Sequence, residues 1–387
     1  MTIRKAYIVS ARRTALGRLG GLHARRRLED LTGPLITQVL TDARLSSARV
    51  ERLILGNATG DGNPARLVAL AGGLPESVPA VTIGQQCASG LEAIVAACRM
   101  IALDEASVIV AGGAEAISMA PWRIAKPRNV HLTPRFLDIV GDQTDAGADA
   151  AATAELGDAL ARAMKISRQQ QDDYALRSHM RASLARDAKT FLKEIVPLRP
   201  VAEETRDQSS VEPDVSALKE APPLLPKGSL TTANTSHLHD GAALAVVVSD
   251  SVWQELGKPP ALTLVASASV GSTPREAATT AIGAMRRLAA RAGALDLSAL
   301  DLVEMSERSA VEAIALRDTL GLAEDALNPD GGAIARGHPL GAASAVLVTR
   351  LFTRMVRQRS DKSASRGAAV CSALGGQAIA ALFETAG

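Results

Sequence analysis

Two residues that lie far apart in the sequence, Cys87 and His338, have the types and the context that acyl-transfer chemistry requires. Cys87 comes just before an Ala-rich helical run, where unpaired N–H groups and the helix dipole stabilise a thiolate. An imidazole beside it could hold or deliver the proton of that thiol. The sequence equally allows a plainer interpretation, in which Cys87 is a small buried apolar residue and His338 a hydrogen-bonded turn residue.

An internal repeat relates the segments around these two residues. Residues 83–90 align with residues 334–341, and the alignment places Cys87 opposite His338. Each segment leads into an Ala-rich helix, which is followed by a strand that ends in a turn of small residues. Because duplicated halves pack as pseudo-twofold partners, their equivalent loops are expected to meet. The repeat therefore predicts that Cys87 and His338 are neighbours.

A second thiol, Cys371, follows a short apolar strand and precedes a Gly-containing turn, where it could reach the same site. Beside a Cys–His pair, a second thiol favours a proton shuttle over a metal site, because zinc takes four ligands at close, paired spacings. His237 and His239 are closely spaced but have no carboxylate company, so we expect no metal there. Packing at the end of a strand is the alternative role for Cys371.

Composition limits the classes of function that this chain can serve. Its 387 residues carry 43 basic and 41 acidic side chains, and 47% are hydrophobic but only 2% aromatic. A near-neutral chain with few aromatic residues is poorly suited to bind nucleic acid. Three cysteines cannot form a disulfide framework, and neither a signal-peptide core nor a membrane span is found. We therefore expect a small-molecule enzyme of the reducing cytoplasm.

Short β-rich apolar runs alternate with helical stretches along most of the chain. The runs predicted as strands are residues 6–10, 52–55, 107–111, 242–248, 261–266, 301–304, 367–371 and 378–383. Helical spacing is found in residues 28–43, 91–103, 277–292 and 342–357. This alternation predicts an α/β fold with largely buried sheets.

The stretch from residue 118 to residue 239 differs from the rest of the chain. Prolines punctuate it, and one long helix is predicted over residues 171–192, behind a capping box formed by Ser167 and Gln170. We interpret this stretch as an inserted loop domain that covers a site. The predicted division is an N-terminal half (1–117 with 240–255), a loop domain (118–239) and a C-terminal half (256–387).

Five segments together resemble the thiolase family, and the resemblance covers essentially the whole chain. The segments are residues 9–17, 62–66, 86–93, 112–121 and 328–342. The segment around Cys87 is similar to the nucleophile motif of the family, and the segment around His338 to its histidine loop. The resemblance implies a thiolase-like fold with two similar βαβαβαββ halves. It also implies CoA as a substrate, no tightly bound cofactor, and a homodimer or homotetramer.

The resemblance also implies a mechanism. Cys87 attacks an acyl-CoA thioester and becomes acylated, while His338 promotes its deprotonation. Cys371 then acts as acid or base at C2 of the second acyl-CoA. The backbone N–H groups of Cys87 and Ala373 form one oxyanion hole, and His338 with a water forms the other. The implied activity is 3-oxoacyl-CoA thiolysis or the reverse Claisen condensation.

The chain departs from the family pattern close to these groups. Where the family has Asn-Glu-Ala-Phe this chain has residues 306–309, so Ser306 replaces the Asn that holds the oxyanion-hole water. Ser309 replaces an aromatic residue that covers CoA, and Arg308 adds a charge suited to a phosphate or an acidic acyl group. Ala373 takes the place of a glycine. We expect these changes to affect rate and substrate more than fold.

Contacts with CoA are predicted mainly in the loop domain. The resemblance places Ser236 against the pantetheine, with Thr235 beside it, and places Ser216 and Leu224 at further CoA-contacting positions. Leu224 stands where an aromatic residue is usual, and His237 stands where Gly is common. A narrower pocket floor is expected from the larger histidine.

Two other functions are compatible with the sequence. One is a decarboxylating condensing enzyme of the ketoacyl-synthase type, which shares the fold and the cysteine nucleophile. That class normally presents a second histidine near the first, whereas this chain offers Cys371. The other is a catalytically weak, thiolase-like acyl-CoA-binding protein, which Ser306, Arg308 and Ser309 suggest. The presence of both thiols and the histidine favours the enzyme.

Overall fold

A computed structural model of the protein describes residues 4–127, 129, 131–137, 150–210, 214–358 and 366–387. The strands are β1 (Ala6–Arg13), β2 (Gly17–Arg18), β3 (Arg52–Gly56), β4 (Ala80–Ile83), β5 (Val108–Glu115), β6 (Ile124–Ala125), β7 (Arg135–Phe136), β8 (His239–Ser249), β9 (Ala261–Gly271), β10 (Leu302–Met305), β11 (Arg366–Ala373) and β12 (Gln377–Ala386). The helices are α1 (Leu28–Asp42), α2 (Pro64–Ala71), α3 (Ser89–Ala102), α4 (Ala150–Ala163), α5 (Arg168–Asp187), α6 (Val215–Glu220), α7 (Asp250–Glu255), α8 (Thr280–Arg291), α9 (Ala310–Leu320), α10 (Ala333–Arg336) and α11 (Leu340–Phe352).

The main sheet repeats one strand pattern on either side of its centre. Within the described residues its order is β10-β11-β12-β9-β1-β8-β5-β3-β4, with β2 paired to β8. Outward from the central antiparallel β1–β9 pair, β1-β8-β5-β3 on one side corresponds to β9-β12-β11-β10 on the other. In each half two antiparallel contacts are followed by a parallel one. The predicted α/β fold with two similar halves is confirmed.

Helices cover the outer faces of both halves and also separate them. Helices α1 and α2 pack on the N-terminal half, and α8 and α9 pack on the C-terminal half. Helices α3 and α11 lie between the halves and contact each other. Gly90 of α3 allows this approach, because a Cβ there would lie 2.8 Å from the Cβ of Ala345 in α11. The two helices that follow Cys87 and His338 are therefore packed side by side.

All eight strand predictions are confirmed, and most of the strands are longer than predicted. The short β4 was not predicted, because it has only four residues, lies at the sheet edge and is only partly buried. Helix α11 was predicted to reach residue 357, but its α-helical part ends at Phe352 and a π-helical turn, Thr353–Arg357, follows.

The inserted segment contributes helices that pack on the C-terminal half. The capping box of Ser167 and Gln170 is present at the start of α5. The predicted end at residue 192 is wrong, because α5 ends at Asp187 and Lys189 takes a left-handed conformation with φ 57°. Tyr174 of α5 belongs to the apolar cluster of the C-terminal half. The three-part division by residue number stays a prediction.

No helix in the described part of the chain combines the length and the hydrophobicity that a membrane span requires. Many of the apolar residues lie in buried strands of the sheet. All eight residues of β5 and all eleven of β8 are buried, because helices cover both faces of the sheet.

Candidate active site

The two loops that the repeat aligns share one backbone feature beside their functional residues. Cys87 and His338 each lie two residues before a helix, α3 and α11 respectively. The residue before each has a positive φ, 51° at Gln86 and 111° at Gly337. A Cβ at Gly337 would lie 2.3 Å from the ring of His239, so this position requires glycine. Cys87 and His338 thus each follow a residue with a positive φ, and Cys87 is buried in the apolar cluster between the halves.

Cys87 and His338 are in direct contact in that space. The Cys87 Sγ lies 3.0 Å from the Nε2 of His338. Cys87 is 2% exposed and His338 is 4% exposed, so water has little access to the pair. A thiol at hydrogen-bond distance from an imidazole is the arrangement that activates a cysteine nucleophile.

Ser306 lies beside both the Nδ1 of His338 and the second thiol, Cys371. The Ser306 Oγ lies 3.1 Å from the Nδ1 of His338. Burial raises the pKa of the neighbouring Cys371 thiol, and the Ser306 hydroxyl opposes part of that rise. In the resting arrangement the Cys371 thiol donates to the backbone oxygen of Ser372 at 3.3 Å. The three predicted side chains and Ser306 thus form one buried cluster.

Burial keeps the cluster uncharged. Desolvation raises the pKa of the Cys87 thiol to about 11 and the pKa of the Cys371 thiol well above its usual range. Desolvation, together with Arg308 and His239, lowers the pKa of His338 to about 3. Near neutral pH the site therefore holds two thiols and a neutral imidazole that is free to accept a proton.

We expect the rate of Cys87 alkylation by iodoacetamide to rise about tenfold per pH unit between about pH 8 and pH 10. The thiolate is the nucleophile, and below a thiol pKa of about 11 its fraction grows in proportion to hydroxide. Mass spectrometry of the Cys87 peptide gives the rate, with the Cys87→Ala protein as the blank. A rate that is constant above pH 7 would instead indicate a thiolate–imidazolium pair and contradict this electrostatic picture.

A buried carboxylate, Glu307, fixes the loops around the cluster. Its Oε1 accepts from the Tyr174 hydroxyl at 2.7 Å and from the Asn328 amide at 2.6 Å. Its Oε2 accepts from Ser178 at 3.1 Å and from the backbone N–H of Ile334 at 3.2 Å. Glu307 therefore joins the inserted helix α5 to the histidine loop. Sequence analysis gave Glu307 no role, because it lies in the polar run 306–309 and only the fold shows that its carboxylate is buried.

We expect Glu307→Ala to lower the free energy of unfolding by at least about 3 kcal/mol, because four buried donors lose their acceptor together. The denaturation midpoint in urea measures this change. Glu105→Ala, at an exposed residue, is the matched control and is expected to leave the midpoint unchanged. Equal midpoints for the two variants would contradict the role of Glu307.

Glu115 has the same function on the N-terminal side. It accepts hydrogen bonds from the Asn57 side chain, the backbone N–H groups of Ala58 and Thr59, and the N–H of Gly341. Burial raises the pKa of Glu115, and these hydrogen bonds oppose the rise. The contact with Gly341 ties the start of α11 to the N-terminal half, three residues after His338.

Arg308 forms a buried ion pair beside the cluster. Its guanidinium donates to both carboxylate oxygens of Glu312, at 3.1 and 2.9 Å, and to the backbone oxygen of Ala277. Glu312 also accepts from the Ser372 hydroxyl at 3.4 Å. The structure thus gives Arg308 a buried carboxylate as partner in place of an open anion site. Its positive charge opposes part of the burial effect on the pKa of both thiols.

Ala373, the predicted oxyanion donor, is the last residue of β11 and pairs with Gln377 of β12. Its φ is not positive, whereas Gly375 and Gly376 in the following turn have φ of 80° and 76°. A Cβ is therefore tolerated at residue 373, and the glycines that the turn requires come after it. The role of its N–H as an oxyanion donor stays a prediction.

Residues predicted to contact CoA lie along one edge of the site. Thr235 and Ser309 form an isolated β-bridge, and the N–H of Ser236 donates to the backbone oxygen of Arg308 at 3.0 Å. Ser309 is 3% exposed, and its hydroxyl caps the start of α9. That hydroxyl is thus engaged inside the protein. The side chain of Ser236 is half-buried, and its hydroxyl donates to the backbone oxygen of Arg308 at 3.4 Å.

A cavity of about 710 Å³ lies between the inserted segment, β2 and the start of β8. Ser216 and Leu224 are exposed on the inserted segment. The cavity walls include Ala217, Leu218, Thr232, Ala233, Leu238 and His237. The neighbours of Ser216 and Ser236 thus line a space large enough for part of a CoA molecule.

His237 and His239, considered above as metal ligands, have other surroundings. His237 is exposed. The ring of His239 is buried, with Nδ1 2.9 Å from the backbone oxygen of His237 and Nε2 2.7 Å from the Ser209 hydroxyl. In the described part of the chain no three His, Cys, Asp or Glu side chains come together in a way that could hold a metal ion.

This is an α/β protein with two repeated halves. The equivalent loops of the halves, which carry Cys87 and His338, together form one site. Residues 6–251 match the model of the thiolase N-terminal domain, and residues 258–385 match the model of the thiolase C-terminal domain. The chain therefore belongs to the thiolase family.

Similar proteins cover the chain from end to end. A Staphylococcus epidermidis protein assigned as an acetyl-CoA C-acetyltransferase is 34% identical, with 99% of each chain covered. The beta-ketoadipyl-CoA thiolase of Pseudomonas putida is 34% identical, over 99% of this chain and all of that protein. The crystal structure of the Bacillus anthracis acetyl-CoA acetyltransferase superposes with a TM-score of 0.90 at 28% identity, and 99% of each chain is covered.

Proposed function

We propose that this protein is a thiolase that transfers an acyl group between CoA thioesters through an acyl-enzyme on Cys87. It cleaves a 3-oxoacyl-CoA with CoA, or runs the reverse Claisen condensation. The observation that carries the proposal is the 3.0 Å contact between the Cys87 thiol and the imidazole of His338, with a second thiol in the same buried cluster. The relatives' names, which specify acetyl-CoA and beta-ketoadipyl-CoA chemistry, support the same class of reaction.

In the first step, the Sγ of Cys87 attacks the C3 carbonyl of the 3-oxoacyl-CoA, and its proton passes to Nε2 of His338. The low pKa of His338 keeps the imidazole neutral and ready for this transfer. The position of Cys87 in front of α3 favours the thiolate as it forms. Cleavage of the C2–C3 bond then leaves an acyl group on Cys87 and the enolate of acetyl-CoA.

Cys371 protonates C2 of that enolate and becomes a thiolate. The raised pKa of Cys371 suits this role, because the thiol keeps its proton until a strongly basic carbon is formed. In the second half-reaction a CoA thiol gives its proton to Cys371 and attacks the acyl group. Cys87 leaves as a thiolate and is reprotonated by His338.

Negative charge on the thioester oxygens requires donors at fixed positions. We assign the N–H groups of Cys87 and Ala373 to one oxyanion hole and His338 with a water to the other. Each donor contributes a few kcal/mol in sites of this kind. Ser306 replaces the family's water-holding Asn, so the second hole is the part of the site that departs most from the family pattern.

CoA is a substrate in this scheme, and we propose no tightly bound cofactor. The cavity beside Ser236 is the proposed site for its pantetheine arm. We also propose a homodimer or homotetramer. β4 is an edge strand of the sheet with Val81 41% exposed, and strand edges of this kind support pairing with a second copy.

Steady-state thiolysis tests the proposal. The purified protein is mixed with acetoacetyl-CoA or a longer 3-oxoacyl-CoA together with CoA, and acetyl-CoA formation is followed by chromatography. We expect turnover that saturates in both substrates. CoA binding without acetyl-CoA formation from any 3-oxoacyl-CoA would contradict the proposal and favour the acyl-CoA-binding protein.

A further inference from the structure

Ser306 lies between the two parts of the catalytic cluster. It follows β10, and its N–H donates to the backbone oxygen of Val370 at 3.1 Å. Because Met305 pairs with Val370 in the parallel β10–β11 register, Ser306 is placed next to Cys371. Ser306 is 1% exposed, so its hydroxyl must find its partners inside the site.

The partners of that hydroxyl form a continuous chain. The Sγ of Cys87 is 3.0 Å from Nε2 of His338, and Nδ1 of His338 is 3.1 Å from the Oγ of Ser306. The β10–β11 register places the Cys371 thiol beside Ser306, and the hydroxyl opposes the rise that burial causes in the pKa of this thiol. One hydroxyl therefore connects the imidazole that serves the nucleophile to the thiol that serves the enolate.

We propose that Ser306 relays a proton between His338 and Cys371. The inference rests on the proposed function. After C–C cleavage His338 is an imidazolium and Cys371 a thiolate. The Nδ1–H bond of His338 then breaks as its proton binds the Oγ of Ser306, while the Ser306 O–H bond breaks and its proton forms an S–H bond on Cys371. The products are a neutral imidazole, a serine hydroxyl and a thiol.

The reverse transfer serves the second half-reaction. It restores the Cys371 thiolate and the His338 imidazolium. The thiolate then takes the proton of the incoming CoA thiol, and the imidazolium reprotonates Cys87. Between the two half-reactions the acyl-enzyme must wait while acetyl-CoA leaves and CoA enters. A buried cation and anion are costly to hold through that exchange, and the relay removes both charges without a proton crossing to solvent.

A hydroxyl at residue 306 can pass a proton between His338 and Cys371, whereas the Asn side chain of the family pattern cannot do so in the same way. Its single oxygen accepts one proton while it releases another, so the group is unchanged after each passage. The carboxamide that the family has at this position accepts at its oxygen and donates at its nitrogen. It can orient His338 but cannot pass a proton on in the same way. The replacement of Asn by Ser306 therefore does more than shorten the side chain, because it introduces a group that can pass a proton on.

Three variants separate a relay from a purely structural contact. Ser306→Asn keeps a hydrogen-bond acceptor for His338 but removes the hydroxyl. Ser306→Thr keeps the hydroxyl, and a cavity of about 10 Å³ beside Ser306 offers space for its extra methyl group. Ser306→Ala removes the acceptor and the hydroxyl together. Circular dichroism and the urea midpoint confirm that each variant is folded.

The test is single-turnover thiolysis of acetoacetyl-CoA in mixtures of H2O and D2O. For the native enzyme we expect a plot of the rate constant against the D2O fraction to be curved, because more than one proton moves in the rate-limiting step. We expect Ser306→Asn and Ser306→Ala to lower the rate about 100-fold and to straighten the curve. Ser306→Thr is expected to stay within about fivefold of the native rate and to keep the curvature.

Each of the other results overturns the relay. Ser306→Asn as fast as the native enzyme, Ser306→Thr as slow as Ser306→Asn, or a straight line for the native enzyme would show that no proton passes through this hydroxyl. In those cases the native enzyme still turns over, so the proposed function stands. A native enzyme that forms no acetyl-CoA overturns the proposed function and the relay together.

Discussion

Replacing Cys371 with alanine is expected to slow 3-oxoacyl-CoA thiolysis by about 1,000-fold and to slow acetyl transfer from acetyl-CoA to Cys87 much less, by about tenfold. The enolate of acetyl-CoA needs a proton donor at C2, and the Cys371 thiol is the donor that we propose. Transfer of an acetyl group from one thioester to Cys87 forms no enolate. In this half-reaction Cys371 exchanges a proton only with the CoA sulfur, and a thiolate can leave or attack without that help far more easily than a carbanion can.

Two assays on the same protein check this separation. Acetyl-CoA formation from acetoacetyl-CoA reports the C–C step, and exchange of label between acetyl-CoA and free CoA reports the acyl-transfer step. Cys98→Ala is the matched control, because Cys98 is also a buried thiol but lies in α3 and outside the cluster. Equal loss of both activities in Cys371→Ala would contradict the assignment of Cys371 to the enolate.

Replacing Cys87 with alanine is expected to abolish both activities, with a loss of at least about 10,000-fold. Cys87 is the side chain that is hydrogen-bonded to Nε2 of His338 in the described part of the chain. Cys98→Ala again serves as the control and is expected to keep the native rates. Residual turnover of Cys87→Ala above one-hundredth of the native rate would contradict the covalent route.

Much of the fold can be predicted from apolar runs and from the internal repeat in the sequence. Strands such as β5 and β8 are buried on both faces, so each has an almost continuous apolar run that predicts it. The repeat around Cys87 and His338 predicts their meeting, because equivalent loops of two packed halves face each other. The edge strand β4 lacks such a run, since part of it faces outward, and the sequence alone did not predict it.

The side chains that support the site were harder to predict. Ser306 was expected to affect the rate as the replacement of a water-holding Asn, and only the three-dimensional register of β10 and β11 places it between His338 and Cys371. Arg308 was expected to offer charge to a ligand, but its partner is Glu312, four residues further along α9. The spacing of four residues allows this pair, but only the fold shows that both side chains are buried, so that Glu312 and not a ligand neutralises Arg308.

The acyl-enzyme on Cys87 is the central claim, and intact-protein mass spectrometry tests it most directly. Native protein and Cys87→Ala are each mixed briefly with acetyl-CoA, acetoacetyl-CoA and longer 3-oxoacyl-CoA thioesters, and the masses are compared. We expect one acyl increment on the native protein with release of CoA or acetyl-CoA, and none on Cys87→Ala. The largest adduct yield would identify the acyl group that fits the site. An adduct on both proteins, or on neither despite measurable CoA binding, would contradict the account.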